Sequence, residues 1–352
     1  MGKEIKFGLS APMPGADVEG LVSFSIKADQ LGFDTIWYPD HLLFVAPGAI
    51  APEAWTVAAA ASMKTENIAL GTVSDPHRMH PAVFAQRLAT VDQLSKGRVV
   101  LTLGVGESMN LDAFGIEWKK PLSKLRESIE VMELLWETDE PVDFDGEFYK
   151  LEKAFLQIKP YERNKIPFYM ATHTPKGLQL TGEKCDGWLP IDLNPDLYSG
   201  YLSEIKAAAD NVGRSLDDGF DPALWVFTSL GENIDAAYES LTPFKYVLVM
   251  QDQLLKAGYD VKIPEEYKGL NYFNIVPTDD EGRQRFRQLG EIFPREAILD
   301  FTITGSKKDC IQKIEKFIDA GVRNFVLFYR FSPDPDLALE TYSKEIIPYF
   351  KS

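Results

Sequence analysis

The feature that most constrains this chain is an alternation of short apolar runs with amphipathic stretches, repeated along most of its length. Residues 5–9 read as a strand, and Asp17 caps a helix whose apolar positions Val18, Leu21, Val22, Ala28 and Leu31 follow a 3.6-residue period before Gly32. Strands follow at 35–38, 68–73 and 99–103, separated by a helix over about 52–63 and another opened by Pro81 and closed near Gly97. After Pro121 a helix carries Leu125, Ile129, Met132 and Leu135, and further strands read at 167–171, 187–190 and 223–229, with a helix over about 196–211. Ser306 caps a helix bearing Ile311, Ile314, Phe317 and Ile318, and 324–329 is the eighth strand. Strand–helix–strand units wind right-handedly into a parallel sheet, so the expected fold class is α/β. Eight such units in one chain predict a closed (β/α)8 TIM barrel rather than an open sheet.

Two segments depart from the alternation. Residues 142–149 alternate around Asp145-Gly146, a hairpin signature. The stretch 232–300, between the seventh and eighth strands, is too long for one crossover and predicts a helical insertion lying over the barrel mouth. No repeat, low-complexity run or linker divides the chain, so residues 1–352 are expected to form a single elaborated domain.

Composition narrows the partners. With 37 basic against 53 acidic residues the formal charge is −16, which argues against nucleic acid and anionic membranes. Two cysteines, Cys185 and Cys310, make neither a disulfide framework nor a Cys-rich zinc site. No apolar run approaches the roughly 18 residues of a membrane span. The first residues run straight into a strand-like segment, so a cytoplasmic protein is expected.

A parallel barrel builds its site at the C-terminal strand ends. Asp40-His41 follows the second strand, and Thr72-Val73-Ser74-Asp75 the third, with His77, Arg78 and His80 shortly after. Gly104-Val105-Gly106-Glu107 with Asn110 follows the fourth, and Ala171-Thr172-His173-Thr174 the fifth. His41 is either an acid/base group or half of an Asp–His pair that ties down a loop. Glu107, flanked by small residues, is either a solvated loop glutamate or a carboxyl that holds a proton when desolvated. Thr172, Thr174 and the backbone before Pro175 suit either a phosphate or ordinary helix capping. Gly104-Val105-Gly106 lacks the third glycine of a dinucleotide fingerprint, because Met109 stands there. His77 and His80 have no further ligands at metal spacing, so no metal is expected.

Taken together, these motifs resemble the luciferase-like flavin/deazaflavin superfamily, and within it the coenzyme F420-dependent dehydrogenases and reductases. The carriers are Gly32-Phe33-Asp34-Thr35-Ile36-Trp37 running into Asp40-His41, Pro81-Ala82-Val83 with Ala85-Gln86, and Gly104-Val105-Gly106-Glu107 with Asn110. Leu135-Trp136 leading into the hairpin and Lys153-Ala154-Phe155-Leu156 is the fourth. The resemblance implies a barrel that is usually a homodimer and holds F420 at its mouth, with FMN the alternative. It implies that His41 is the acid/base on the substrate oxygen and Glu107 the proton partner of the ring. Asp40, Thr72, Val73, Ser74, Val105, Gly106, Asn110 and Ala171 to Thr174 are the implied cofactor contacts. It also implies a non-prolyl cis peptide at Thr72–Val73 or Val73–Ser74.

The chain departs from that pattern at three places. Leu42-Leu43-Phe44 stands where the alcohol and sugar-phosphate dehydrogenases carry a tryptophan, and Thr172-His173-Thr174 where the family loop is glycine-rich. Ser10 ends the first strand, where methylene-tetrahydromethanopterin reductases have a glutamate. Lys256, Lys262, Arg283 and Arg285 lie in the insertion, without a basic pocket that the sequence alone can locate. The expected activity is F420-dependent hydride transfer between the deazaflavin and a small alcohol or carbonyl. The alternatives are an FMN-dependent monooxygenase or a methylene-tetrahydromethanopterin reductase-like enzyme.

Overall fold

The computed structural model describes residues 4–12, 17–44, 49–217, 219–270 and 280–351. Eight parallel strands close on themselves: β1 (Lys6–Ser10), β2 (Thr35–Pro39), β3 (Ala69–Ser74), β4 (Val99–Leu103), β7 (Phe168–Met170), β8 (Gly187–Trp188), β9 (Asp221–Leu230) and β11 (Asn324–Phe328). The ring is sealed by the pairing of β11 with β1, as in Phe7 opposite Phe325, and of β8 with β9. This is the (β/α)8 barrel expected from the alternation.

The intervening helices start where side chains satisfy their free N–H groups. Asp17 Oδ1 accepts from Gly20 N at 2.7 Å at the head of α1 (Val18–Gln30). Glu53 caps α2 (Ala54–Ser62), and Pro81 opens α3 (Pro81–Ser95). A one-turn α4 (Ser108–Leu111) follows β4, then α5 (Pro121–Glu137), α6 (Pro175–Lys184) and α7 (Pro195–Asn211), each of the last three opening on proline.

Large aromatic rings fill the barrel interior. Trp37, Tyr169, Leu189, Ala223, Trp225 and Val326 form one buried cluster inside the staves. Gly71 on β3 makes room for the Trp37 ring, since a Cβ there would sit 2.3 Å from it. At the N-terminal end of the staves, Tyr169 Oη donates to Asp221 Oδ2 at 2.6 Å, Asn324 Nδ2 donates to the same oxygen at 3.0 Å, and Lys6 joins at 3.2 Å. This polar floor uses residues at the starts of β1, β9 and β11.

The hairpin pairs β5 (Val142–Asp145) with β6 (Lys150–Ala154). Its second strand starts later than the alternation suggests. Glu127 on α5 accepts from the backbone N–H groups of Glu147, Phe148 and Tyr149, and so holds residues 146–149 as a loop.

Between β9 and β11 lie α8 (Ile234–Leu241), α9 (Lys245–Leu248), α10 (Gln251–Lys256), α11 (Asp280–Glu291) and α12 (Arg295–Phe301); residues 271–279 of the expected insertion lie outside the described residues. These helices build their own apolar cluster around Leu248, Leu254, Phe286 and Phe301, which rests on Phe227, Ile191 and Phe328 of the barrel. A short strand absent from the sequence reading, β10 (Ile303–Gly305), pairs with the last three residues of β9 and leads into α13 (Lys307–Asp319).

One expectation is overturned. All peptide bonds among the described residues are trans, including Thr72–Val73 and Val73–Ser74, where the family resemblance implies a cis bond. β3 stays in register through both bonds, with Thr72 and Val73 opposite Tyr38 and Pro39 on one side and Leu101 and Thr102 on the other. Side chains therefore keep alternating across this stretch.

Candidate active site

His41 and Glu107 come from the loops after β2 and β4, on either side of β3, and meet at the mouth with Nε2 3.7 Å from Oε2. Their approach is set by Asn110 on α4. Its Oδ1 accepts from Leu42 N at 2.7 Å and Leu43 N at 3.0 Å, while its Nδ2 donates to Glu107 Oε2 at 3.0 Å. One amide thus ties the β2 loop to the β4 loop. Gly106 makes the turn at φ +87°, where a Cβ would also strike Leu111 at 2.6 Å. The Val105 carbonyl accepts from Trp118 Nε1 at 2.7 Å.

Both groups are mostly withdrawn from water yet still reachable, their side chains being 19% and 17% exposed. Burial raises the Glu107 carboxyl to about 8, against the hydrogen bond from Asn110, with Asp75 adding to the rise. Burial likewise lowers His41 to about 4, although Asp40 favours its charged form. Near neutral pH the pair is therefore a protonated carboxyl beside an unprotonated imidazole. The His41 ring stacks on Phe44 at 4.6 Å, so the loop that lacks the family tryptophan still supplies an aromatic wall. His41 Nδ1 is buried without a hydrogen-bond partner.

Asp40 faces away from bulk water and is held by Arg78, whose Nη2 lies 2.9 Å from Asp40 Oδ2 and 2.6 Å from its carbonyl oxygen. Arg78 Nε binds Asp75 Oδ2 at 2.7 Å. Burial nevertheless pushes the Asp40 carboxyl up from its ordinary value, with Arg78 opposing. Burial alone would lower Arg78, but the two carboxylates more than offset it. The sequence pointed to Arg78 only as a neighbour of the third strand; two aspartates ending adjacent strands need a shared cation, and that was the available signal.

On β3 the Thr72 and Ser74 hydroxyls lie 3.1 Å apart, and Ser74 Oγ also accepts from Trp55 Nε1 of α2 at 3.3 Å. Val73, on the opposite face, packs against the interior aromatic cluster. Of these three, Val73 is the one that shares the barrel interior.

After β7, half-buried Ala171 leads to Thr172, whose Oγ1 lies 3.2 Å from Thr174 Oγ1. Thr174 Oγ1 accepts from Gly177 N at 3.2 Å and so caps α6. In the first turn of α6 Pro175 has no N–H and those of Gly177 and Leu178 are taken by Thr174, which leaves the Lys176 N–H for an anion. His173 stacks on Tyr201 of α7 at 6.2 Å, and its Nε2 is buried without a partner. Burial lowers its imidazole to about 4. In the neighbouring loop, after β8, Asp192 takes a left-handed conformation at φ +55° with both carboxyl oxygens unpartnered. The sequence carries no signal for it, because its conformation and burial arise only on folding. Among the described residues no cluster of His, Cys, Asp and Glu could hold a metal ion, and no helix is long and apolar enough to cross a membrane.

The whole chain is similar to several known proteins. It is 28% identical to the 5,10-methylenetetrahydromethanopterin reductase of Archaeoglobus fulgidus, over 99% of this chain and 100% of the relative. It is also 28% identical to the F420-dependent glucose-6-phosphate dehydrogenase of Nakamurella multipartita, over 99% and 97%. Its structure matches an F420-dependent secondary alcohol dehydrogenase in complex with an F420-acetone adduct, at TM-score 0.83 and 25% identity, over 99% of this chain and 100% of the other. The F420-dependent tetrahydromethanopterin reductase of Methanopyrus kandleri matches at TM-score 0.81 and 26% identity, over 99% and 100%. A model of the luciferase-like monooxygenase family matches residues 6–324, and the chain belongs to that family.

Proposed function

We propose that this protein is an F420-dependent oxidoreductase acting on a small alcohol or carbonyl compound by hydride transfer. The observation that carries the reading is the neutral His41–Glu107 pair at the barrel mouth, with Nε2 and Oε2 3.7 Å apart. The matched F420-dependent dehydrogenases and reductases support the choice of cofactor. The residues present fit such a group. Buried His41 Nδ1 and His173 Nε2 lack partners, Val73 offers an apolar surface, and the Thr172–Thr174 turn with the start of α6 suits a phosphate. On this reading Asp40, Val105, Gly106, Asn110 and Ala171 would be further cofactor contacts, whereas Thr72 and Ser74 act behind Val73, bonded to each other and to Trp55.

Bound F420 supplies the carbon that accepts or donates hydride. The chain's own work is proton handling. An alcohol must lose its hydroxyl proton as hydride leaves carbon, and unprotonated His41 Nε2 is the base that takes it. Glu107 holds a proton at its carboxyl, and that proton would be available to a bound deazaflavin. After oxidation the site is left with imidazolium beside carboxylate. One proton passing across the 3.7 Å gap restores the starting pair. Phe44 and Asn110 fix the imidazole and its loop during the cycle.

In this reading the substrate is a small molecule, the barrel and its insertion form one domain, and the enzyme works as a cytoplasmic homodimer. Neither nucleic acid nor a membrane is a partner, consistent with the −16 charge. The test is spectroscopic. Protein mixed with F420 should bind it and bleach its absorption with 2-propanol, and His41→Ala should lower kcat by about 100-fold or more. Binding of FMN but not F420 would refute the cofactor assignment, and unchanged turnover in His41→Ala would refute the mechanism.

A further inference from the structure

Asp192 is the buried titratable group that the proton chemistry leaves unused. Counting strands round the ring, β8 stands four places from β2 in either direction, so the Asp192 loop lies directly across the mouth from His41. The residue is 3% exposed, and neither carboxyl oxygen has a hydrogen-bond partner. Buried polar groups are almost always paired, so an unpaired carboxyl at a binding mouth points to a partner brought by a ligand. Its left-handed backbone adds to this, because strained non-glycine conformations collect at ligand sites. Burial first, and then Asp252 on α10, hold its carboxyl well above the ordinary range.

The surroundings define the partner. Asp252 on α10 brings a second carboxylate from the insertion towards Asp192. The neighbouring cation, Lys256, is engaged with Asp252 at 3.9 Å and with Tyr201 Oη at 3.1 Å. An anionic group placed against this wall would meet two carboxyls with no free cation among these neighbours. A cationic donor would give Asp192 the partner it lacks and allow it to ionise.

We propose that Asp192 is the specificity-determining contact for the far end of the substrate, and that this end is a protonated amine. The compound oxidised or reduced is then an amino alcohol or aminoketone, and phosphate esters are excluded. This rests on the reading of His41 as the group beside the reacting carbon.

The test uses the F420-saturated protein with 1-aminopropan-2-ol, propane-1,2-diol, 2-propanol and glucose 6-phosphate. Turnover is followed by bleaching and binding by NMR saturation transfer. The amino alcohol should show kcat/KM at least about tenfold above the diol and 2-propanol, carried mainly by KM, with no binding of glucose 6-phosphate. Asp192→Asn should reduce that preference about tenfold, and Asp192→Glu should restore part of it. Thermal melting of each variant excludes misfolding as the cause. No saturation transfer to the amino alcohol, equal use of the diol, binding of glucose 6-phosphate, or a preference that survives in Asp192→Asn would each overturn the proposal. Failure of the protein to bind F420 at all would refute the functional reading instead, so the two failures are distinguishable.

Discussion

At the scale of single residues, the site depends on desolvation more than on charge partners. Glu107 and His41 shift in opposite directions for the same reason, since the buried mouth penalises the charged form of each. The proposed mechanism requires His41 unprotonated and Glu107 protonated for alcohol oxidation, so kcat/KM should stay level between about 4 and about 8 and fall on either side. Glu107→Gln should abolish the upper limb. The same shift bears on stability without any cofactor. A carboxyl whose folded value lies above its unfolded one favours the fold at low pH and opposes it as pH rises through the folded value. Melting temperatures should therefore show Glu107→Gln gaining on wild type from pH 5 to pH 9; a constant difference would contradict it. Asn110 is the residue whose loss should separate catalysis from folding. Asn110→Ala frees the β2 loop from Glu107, and kcat should fall about tenfold or more, with the melting temperature changing by only a few degrees.

At the scale of elements, sequence periodicity located every stave of the barrel, because buried parallel strands and amphipathic helices leave opposite patterns. Asp17, Pro81, Thr174 and Ser306 were readable as helix starts, since capping is local chemistry. What stayed hidden depended on contacts distant in sequence. β10 is three residues long and exists because β9 offers it an edge, and the hairpin loop follows from Glu127 on another element. The His41–Glu107 pair was legible as two candidates but not as a pair, since Asn110 joins them only in three dimensions. Asp192 was not legible at all. Arg98 shows how much such distant contacts carry. Its guanidinium donates to the carbonyls of Ser62, Thr65, Ile68 and Ser95 and to the Thr65 hydroxyl, fastening the end of α2 and the loop before β3 to the start of β4. Arg98→Ala leaves those acceptors buried and should cost about 3 kcal/mol in urea unfolding. A cost below about 0.5 kcal/mol would show that the loops hold without it.

At the scale of the whole molecule, the charge and the proposed cofactor are in tension. A chain carrying −16 repels an anionic cofactor at long range, so the proposed binding has to rely on local N–H groups and hydroxyls at the mouth. Salt screens the long-range repulsion more than it weakens partly buried contacts. The Kd for F420 should therefore fall about two- to threefold between 20 and 200 mM sodium chloride, in isothermal titration. A Kd that rises with salt would mean that basic side chains, rather than backbone donors, dominate the contact.

The length of β9 has a mechanical consequence. Its lower half is a barrel stave between β8 and β11, and residues 228–230 continue past β11 to pair with β10. Leu230 N is also fastened to Ser332 Oγ at 3.1 Å. A door needs a hinge that rotates freely, and a hydrogen-bonded ladder running through the joint removes that freedom. The described helices between β9 and β10 are thus anchored to the barrel where the chain enters the insertion from β9 and where it leaves through β10. Amide hydrogens at 228–230 and 303–305 should exchange as slowly as those of the lower staves.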